Sequence, residues 1–358
     1  MPYSMVIRVD FEYVIARVRG MKGRLLDTSV LETLIAKPDI ESIIAVLENT
    51  AYKKEIEKAS VQYSGIMCIE VALRMDFTGA FRKIFSLVEG ESTEKYVKLM
   101  LNRWDVQNIK TILRGKNVHM IPAEILECLV PAGQLDDITL IELIKQPDVK
   151  AVIGLLATWG IEYAEPLTRN FKEYAEQRDL AVLEIAIDKF RYENALHAVK
   201  GDSYDDRIMR EMVAMEIDVT NIKTVLKVIR DRIDIDEAQN HLIKEGGLKL
   251  DIERLLAMIR TGTIEGAIKH LGTTPYNFLL RLPQEAFRTE QISVFERELE
   301  KYLIERGISR FFGDPLSIAV IVGYIWAKYN EITNIRIIAR CKTAHFSEKE
   351  IREELIYV

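Results

Sequence analysis

Asn108-Ile109-Lys110, Asn221-Ile222-Lys223 and Asn334-Ile335-Arg336 stand 113 residues apart in a chain of 358. The likeness extends past the tripeptide. An acid lies three places before each Asn, at Asp105, Asp218 and Glu331, and an aliphatic residue follows each acid. A fourth, degenerate copy sits near the N-terminus, where VDFEYVIARVRG aligns with WDVQNIKTILRG. Asp10 then matches Asp105, Tyr13 matches Asn108, and Arg19-Gly20 matches Arg114-Gly115. Self-similarity at a fixed period constrains a fold more than any single motif, because each copy must be the same supersecondary unit.

Further landmarks recur in the same order. KPDIESII (37–44) resembles QPDVKAVI (146–153) and, more weakly, GTIEGAI (262–268). Tyr52, Tyr163 and Tyr276 follow at similar distances, and an acid near the start of a helix comes next, at Glu70, Glu184 and Glu296. The register divides the chain into helical repeats at 1–107, 108–220 and 221–358, the last with a closing helix. The period exceeds the 34 to 47 residues or so of common solenoid repeats, so each copy is long enough for a bundle with its own core. The motif helix occurs four times and everything else three times. The expectation is a chain that closes on itself, its first and last helices completing a pair.

The local patterns are helical. Ile69, Leu73, Phe77, Ala80, Phe81 and Ile84 fall at three- and four-residue steps, as do Val219, Ile222, Leu226 and Ile229. Both segments predict amphipathic helices. Pro38-Asp39 and Pro147-Asp148 read as helix openings with Pro in the first turn. Gly246-Gly247 and Gly272 read as helix ends, and FFGDP (311–315) as a loop. Strand signals are scarce, and the expected fold class is all-α.

Asp105 and Asn108 share a helical face, as residues three apart do. The same holds for Asp218 with Asn221 and Glu331 with Asn334. An Asn on a helix more often bonds nearby backbone than a ligand. The expected role of these positions is therefore structural, bridging one repeat to the next. Lys110, Lys223 and Arg336 fit either a partner contact or a solvated face.

Composition bounds the function. The chain is 48% hydrophobic and 29% charged, with a formal net charge of −6. That balance argues against a broad basic surface for nucleic acid. Cys68, Cys128 and Cys341 form neither a disulfide framework nor a zinc spacing. Cys68 reads as inert core. The start lacks a secretory signal. The longest apolar run, Leu316 to Ala327, is shorter than the roughly 20 residues a spanning helix needs. No P-loop, GxGxxG, HExxH or GxSxG occurs. The five histidines form no close ligand pair. No catalytic residue, cofactor site or metal site is nominated.

DVQNIKTILRGK (105–116), DVTNIKTVLKVIR (218–230) and EITNIRIIARCK (331–342) together resemble one family. So do FEYVIARVRGMKGRLLD (11–27), PDIESII, and the DPL before the last apolar helix. The chain is similar to the C subunit of the archaeal and bacterial A/V-type ATPase or ATP synthase, the counterpart of the d subunit of the eukaryotic vacuolar proton pump. The resemblance covers about residues 5–355 and departs where TGTIEGAI lacks the Pro-Asp. It implies a funnel-shaped, pseudo-threefold helical protein without catalytic residues. Its implied place is the cytoplasmic face of the membrane, peripheral, with no span of its own. Its implied partners are the central-stalk subunits and the proteolipid rotor ring, between which it would pass torque. The competing readings are a generic helical-repeat scaffold and an all-α enzyme.

Overall fold

A computed structural model describes residues 11–357. Every regular element among them is helical, and none is a strand. The chain divides into two compact units, residues 1–161 with 307–358, and residues 162–306.

The first unit begins with α1 (Phe11–Lys22), α2 (Thr28–Ile35), α3 (Ile40–Leu47) and α4 (Lys53–Ala59). Two long helices follow, α5 (Gly65–Val88) and α6 (Glu94–Asn117), then α7 (Pro122–Glu127), α8 (Asp137–Ile144) and α9 (Val149–Thr158). The second unit holds α10 (Ala164–Gln177), α11 (Ala181–Ala198), α12 (Tyr204–Asp231), α13 (Ile235–His241), α14 (Ile252–Arg260), α15 (Ile264–Lys269) and α16 (Gln284–Arg288). The helix α17 (Ile292–Ser309) carries the chain back into the first unit, where α18 (Ile318–Thr343) and α19 (Glu348–Glu354) end it. Within FFGDP, Phe311 and Phe312 belong to a single 3-10 turn, Arg310–Phe312, and the rest is loop.

The predicted faces are the buried ones. In α5, Ile69, Leu73, Phe77, Phe81 and Ile84 are in the core with Cys68 beside them, while Ala80, on the same predicted face, is only half-buried. In α12, Val219, Ile222, Leu226 and Ile229 are buried. From Ile318 onward the apolar run is the first half of α18, and residues Ile318 to Trp326 are buried on every face, while Leu316 before the helix is exposed. A helix apolar all round must be enclosed. Here α1, α2, α3, α5, α6 and the 3-10 turn pack around it. No helix among the described residues is long and apolar enough to cross a membrane. The end of the chain thus packs on its beginning: α1 lies against α18, and α19 against α2. The Arg352 guanidinium donates to Glu32 at 2.9 Å, and the Tyr357 hydroxyl donates to the same carboxylate at 2.9 Å.

The Pro-Asp openings differ in one detail from their sequence reading. Asp39 and Asp148 are N-caps, accepting at 2.8 Å from the Ser42 and Ala151 amides, so each Pro precedes the helix. The reason is that the side-chain carboxylate, not the Pro ring, satisfies the helix's orphan N–H groups. Where the sequence has Thr263 instead, its hydroxyl accepts from the Gly266 amide at 3.1 Å. Asp27, Asp136 and Asp251 cap α2, α8 and α14 in the same way.

Asp148→Ala and Thr263→Ala should each lower unfolding stability by about 1 kcal/mol. Urea unfolding of the two variants checks this. An unchanged Thr263→Ala midpoint would mean that α15 is held by packing alone.

Candidate functional site: three buried acid–amide clamps

The repeated Asn residues are buried, and each one grips a segment 22 residues further along the chain. The Asn108 amide donates to the Val130 carbonyl at 2.7 Å and accepts from the Val130 N–H at 2.8 Å. Asn221 does the same to Ile243, at 2.9 Å in both directions. Asn334 does the same to Ile356, at 2.9 and 3.0 Å. A side-chain amide carries a donor and an acceptor side by side, so it can pair with one residue's N–H and C=O as a strand would. That matters here because the gripped segments are irregular backbone with no ladder partner of their own.

Helix geometry sets the direction of the grip. Within two residues of its end each motif helix is followed by a residue in the left-handed region, His119 (φ 58°), Arg232 (φ 54°) and His345 (φ 60°). The next amide reaches back five residues, from Met120 to Gly115, Ile233 to Val228 and Phe346 to Cys341. This closing bond reverses the chain and returns it, through α7, α13 or α19, along the face that holds the Asn. The stop signal is absent from the glycine pattern, because a non-glycine residue adopts it each time.

The acids three places earlier hold the next stretch of loop. Asp105 accepts from the Gln134 N–H at 2.8 Å and the Leu135 N–H at 2.9 Å. Asp218 accepts from the Lys249 N–H at 2.8 Å and the Tyr276 hydroxyl at 2.9 Å, both on one oxygen. Glycine makes room in both loops. A Cβ at Gly133 would lie 2.0 Å from an Asp105 oxygen, and one at Gly247 would lie 2.6 Å from an Asp218 oxygen.

Glu331 performs the same task with residues from the other end of the chain. It accepts from the Leu26 N–H, and from the Tyr52 hydroxyl at 2.5 Å. Lys328 joins it, with its ammonium 2.7 Å from Glu331, 2.5 Å from Asp76 and 3.0 Å from the Tyr52 hydroxyl. Thus Leu26 and Tyr52 stand to Glu331 as Lys249 and Tyr276 stand to Asp218. Tyr163, the third member of the tyrosine series, is buried against Phe190. Asp10 lies outside the described residues. Tyr13, which aligns with Asn108, is half-exposed on α1.

Charge separates the sites. Burial pushes the Asp218 carboxyl up from 3.8 to about 6, because its backbone and tyrosine donors recover only part of its lost hydration. Burial likewise raises the Tyr276 hydroxyl well above the ordinary range, and the adjacent Asp218 charge adds to it. At the Glu331 site burial works against the Lys328 charge, but Glu331 and Asp76 outweigh it and raise the ammonium's pKa.

The motif cations are used internally where their partners are defined. Arg336 reaches Glu70 at 2.7 Å, and Arg340 reaches the same carboxylate at 2.8 Å. Lys223 lies 3.5 Å from Glu300, and Lys227 lies 2.9 Å from Glu296. Lys110 is half-buried. Sequence reasoning found the acids, the amides and the tyrosines. It missed the gripped residues Val130, Ile243 and Ile356, the two loop glycines, and Lys328 with Asp76. A fixed 22-residue offset from Asn to an aliphatic residue was the available signal. Among the described residues, no group of three or more His, Cys, Asp and Glu side chains is placed to hold a metal ion.

These clamps join helices to loops. The model of the ATP synthase (C/AC39) subunit family matches residues 14–354, and the chain belongs to that family. It is similar to the C subunit of the A-type ATP synthase of Methanocaldococcus jannaschii, 28% identical, covering 99% of this chain and 88% of the relative. The Methanococcoides burtonii protein of the same name is 31% identical, covering 97% and 94%. That of Halorubrum lacusprofundi is 30% identical, covering 96% and 97%.

Asn221→Leu should lower stability by about 1–3 kcal/mol, because it leaves the Ile243 N–H and C=O unpaired in the interior. Chemical denaturation measures it, and an unchanged midpoint would deny the clamp any structural role. Asp218 should titrate near pH 6 by carboxyl-carbon NMR, and higher still in Tyr276→Phe, which removes a donor to the carboxylate. The folded pKa exceeds the unfolded one, so the folded chain binds the proton first. This group therefore adds stability as pH falls from about 6 towards 4, and Asp218→Asn should abolish that slope.

Proposed function

We propose that the chain is a non-catalytic rotor adaptor of a rotary A/V-type ATPase or ATP synthase. In this reading it sits peripherally on the cytoplasmic face of the membrane. It links the central stalk to the proteolipid rotor ring and passes torque between ATP chemistry and proton or sodium transport. The observation that carries the reading is the family match over residues 14–354. Support comes from the relatives named as C subunits of A-type ATP synthases, which align along nearly their whole length.

The clamps fit such a role physically. A torque-bearing part has to resist shear between helices and loops, and non-directional apolar packing alone resists sliding poorly. Paired hydrogen bonds from one buried amide to both polar groups of a loop residue fix that loop in register. Dense interiors then transmit strain with little compression. The division into repeats at 1–107, 108–220 and 221–358 belongs to the same proposal, with one clamp rooted in each of α6, α12 and α18.

The test is a pull-down of the tagged protein from gently solubilised membranes containing the assembled motor. Recovery of the small ring subunit together with stalk and ATPase-head subunits is expected. If none of them co-elutes, the rotary role is wrong and a helical scaffold with other partners is the better description.

A further inference from the structure

The first unit contains a cavity of about 370 Å³ between the end of α1, the start of α4, the middle of α5 and α18. Four cations line it, Arg24, Lys54, Lys83 and Lys328, against two carboxylates, Glu55 and Asp76. Asp76 is already committed to Lys328, 2.5 Å away. Arg24 and Lys54 are exposed, and Lys83 is half-buried. Among the described residues, none of these three makes an ion pair. The one polar contact of the Arg24 guanidinium there is a long 3.5 Å approach to the Gly20 carbonyl.

Two observations distinguish this cavity from an ordinary basic surface. The Tyr324 side chain lines it and is only 3% exposed, yet its hydroxyl makes no hydrogen bond to the described residues. Burial and the nearby Asp76 and Glu331 charges keep that hydroxyl protonated, so it can donate to an acceptor placed in the cavity. Secondly, the cations crowd one another. Burial, and then the charges of Arg17 and Arg24, hold the Lys83 ammonium below the ordinary lysine range. An anion beside them would offset both the lost hydration and the repulsion.

We propose that this cavity binds a phosphoryl-bearing anion, with Arg24, Lys54 and Lys83 as its cationic donors and the Tyr324 hydroxyl as a neutral one. A phosphoryl group offers three strong acceptor oxygens. Arg matches two of them with parallel N–H groups, while lysines act as movable point charges. Met21, Leu25 and Met75 also line the cavity and give it some apolar wall. The shared chemistry belongs to soluble phosphates and to acidic lipid headgroups alike. In either form the ligand would tie the loop after α1 to α5 and α18. That is where the N-terminal helices meet the last long helix, next to the Glu331 clamp. The proposal does not depend on the rotary reading.

The experiment has two arms on the full-length protein. Calorimetric titration with pyrophosphate tests the soluble source. Co-flotation with phosphatidic acid vesicles, against phosphatidylcholine vesicles, tests the headgroup. Saturable binding in either arm is expected, at least about tenfold weaker in Arg24→Gln and in Lys83→Gln, since each loses a charged hydrogen bond. Tyr324→Phe should weaken it too, because it removes the hydroxyl and leaves the charge unchanged. Lys172→Gln, on the exposed face of α10, should bind as the parent does. Pyrophosphate binding without flotation assigns a soluble ligand, and flotation without pyrophosphate binding assigns the headgroup. Absence of binding in both arms, or equal weakening by Lys172→Gln, overturns the proposal. Thermal melting of each variant without ligand separates lost binding from lost folding.

Discussion

A side-chain amide buried on a helix, pairing with both polar groups of a loop residue, is the interaction on which the other clamp contacts depend. Irregular backbone cannot enter a protein interior with its N–H and C=O unpaired. Asn108, Asn221 and Asn334 remove that obstacle at Val130, Ile243 and Ile356. With the loop anchored there, Asp105 and Asp218, one turn earlier on their helices, collect the next amides of the same loop, whereas Glu331 takes its amide from Leu26. A capped helix then starts at Asp136, Asp251 or Asp27. Replacing the Asn would undo the sequence from its first step.

The three carboxylates show how one geometric task admits different electrostatic solutions. Asp105 spreads two backbone donors over its two oxygens. Asp218 takes the Lys249 and Tyr276 donors on a single oxygen, and its pKa rises with burial. Glu331 has a longer side chain and lies beside Lys328, which also neutralises Asp76. Buried ion pairs contribute little net stability but are costly to break. The charged version therefore suits the one site that depends on residues from opposite ends of the chain. There Glu331 takes its loop amide from Leu26 and its hydroxyl from Tyr52.

The phosphoryl site proposed above borders this charged clamp. Lys328 belongs to both, facing Glu331 on one side and lining the cavity on the other. The juncture of the chain's two ends is thus where buried charge, the Tyr324 hydroxyl and a group of surface cations come together. The other two clamps are internal to continuous stretches of chain.

By itself the sequence determined the repeat period, the helical class and the buried faces of α5 and α12, and it singled out the acid, amide and tyrosine positions. All of these are local or periodic signals. A helix face is set by a 3.6-residue period, and a repeat by self-similarity. The partners of Asn and acid required tertiary structure, because a hydrogen bond joins atoms across 22 to 305 residues and leaves no local pattern. Helix ends near His119, Arg232 and His345 escaped notice because the left-handed stop was not a glycine. Lys328 reads in sequence as one more charge on a long helix. Only packing against α5 and the Tyr52 segment desolvates it and makes it the counter-ion of two carboxylates. Tertiary structure also decided that Leu26 and Tyr52 complete Glu331; the four-to-three count of helices predicted that the ends of the chain meet, but residue order does not contain which side chains join them.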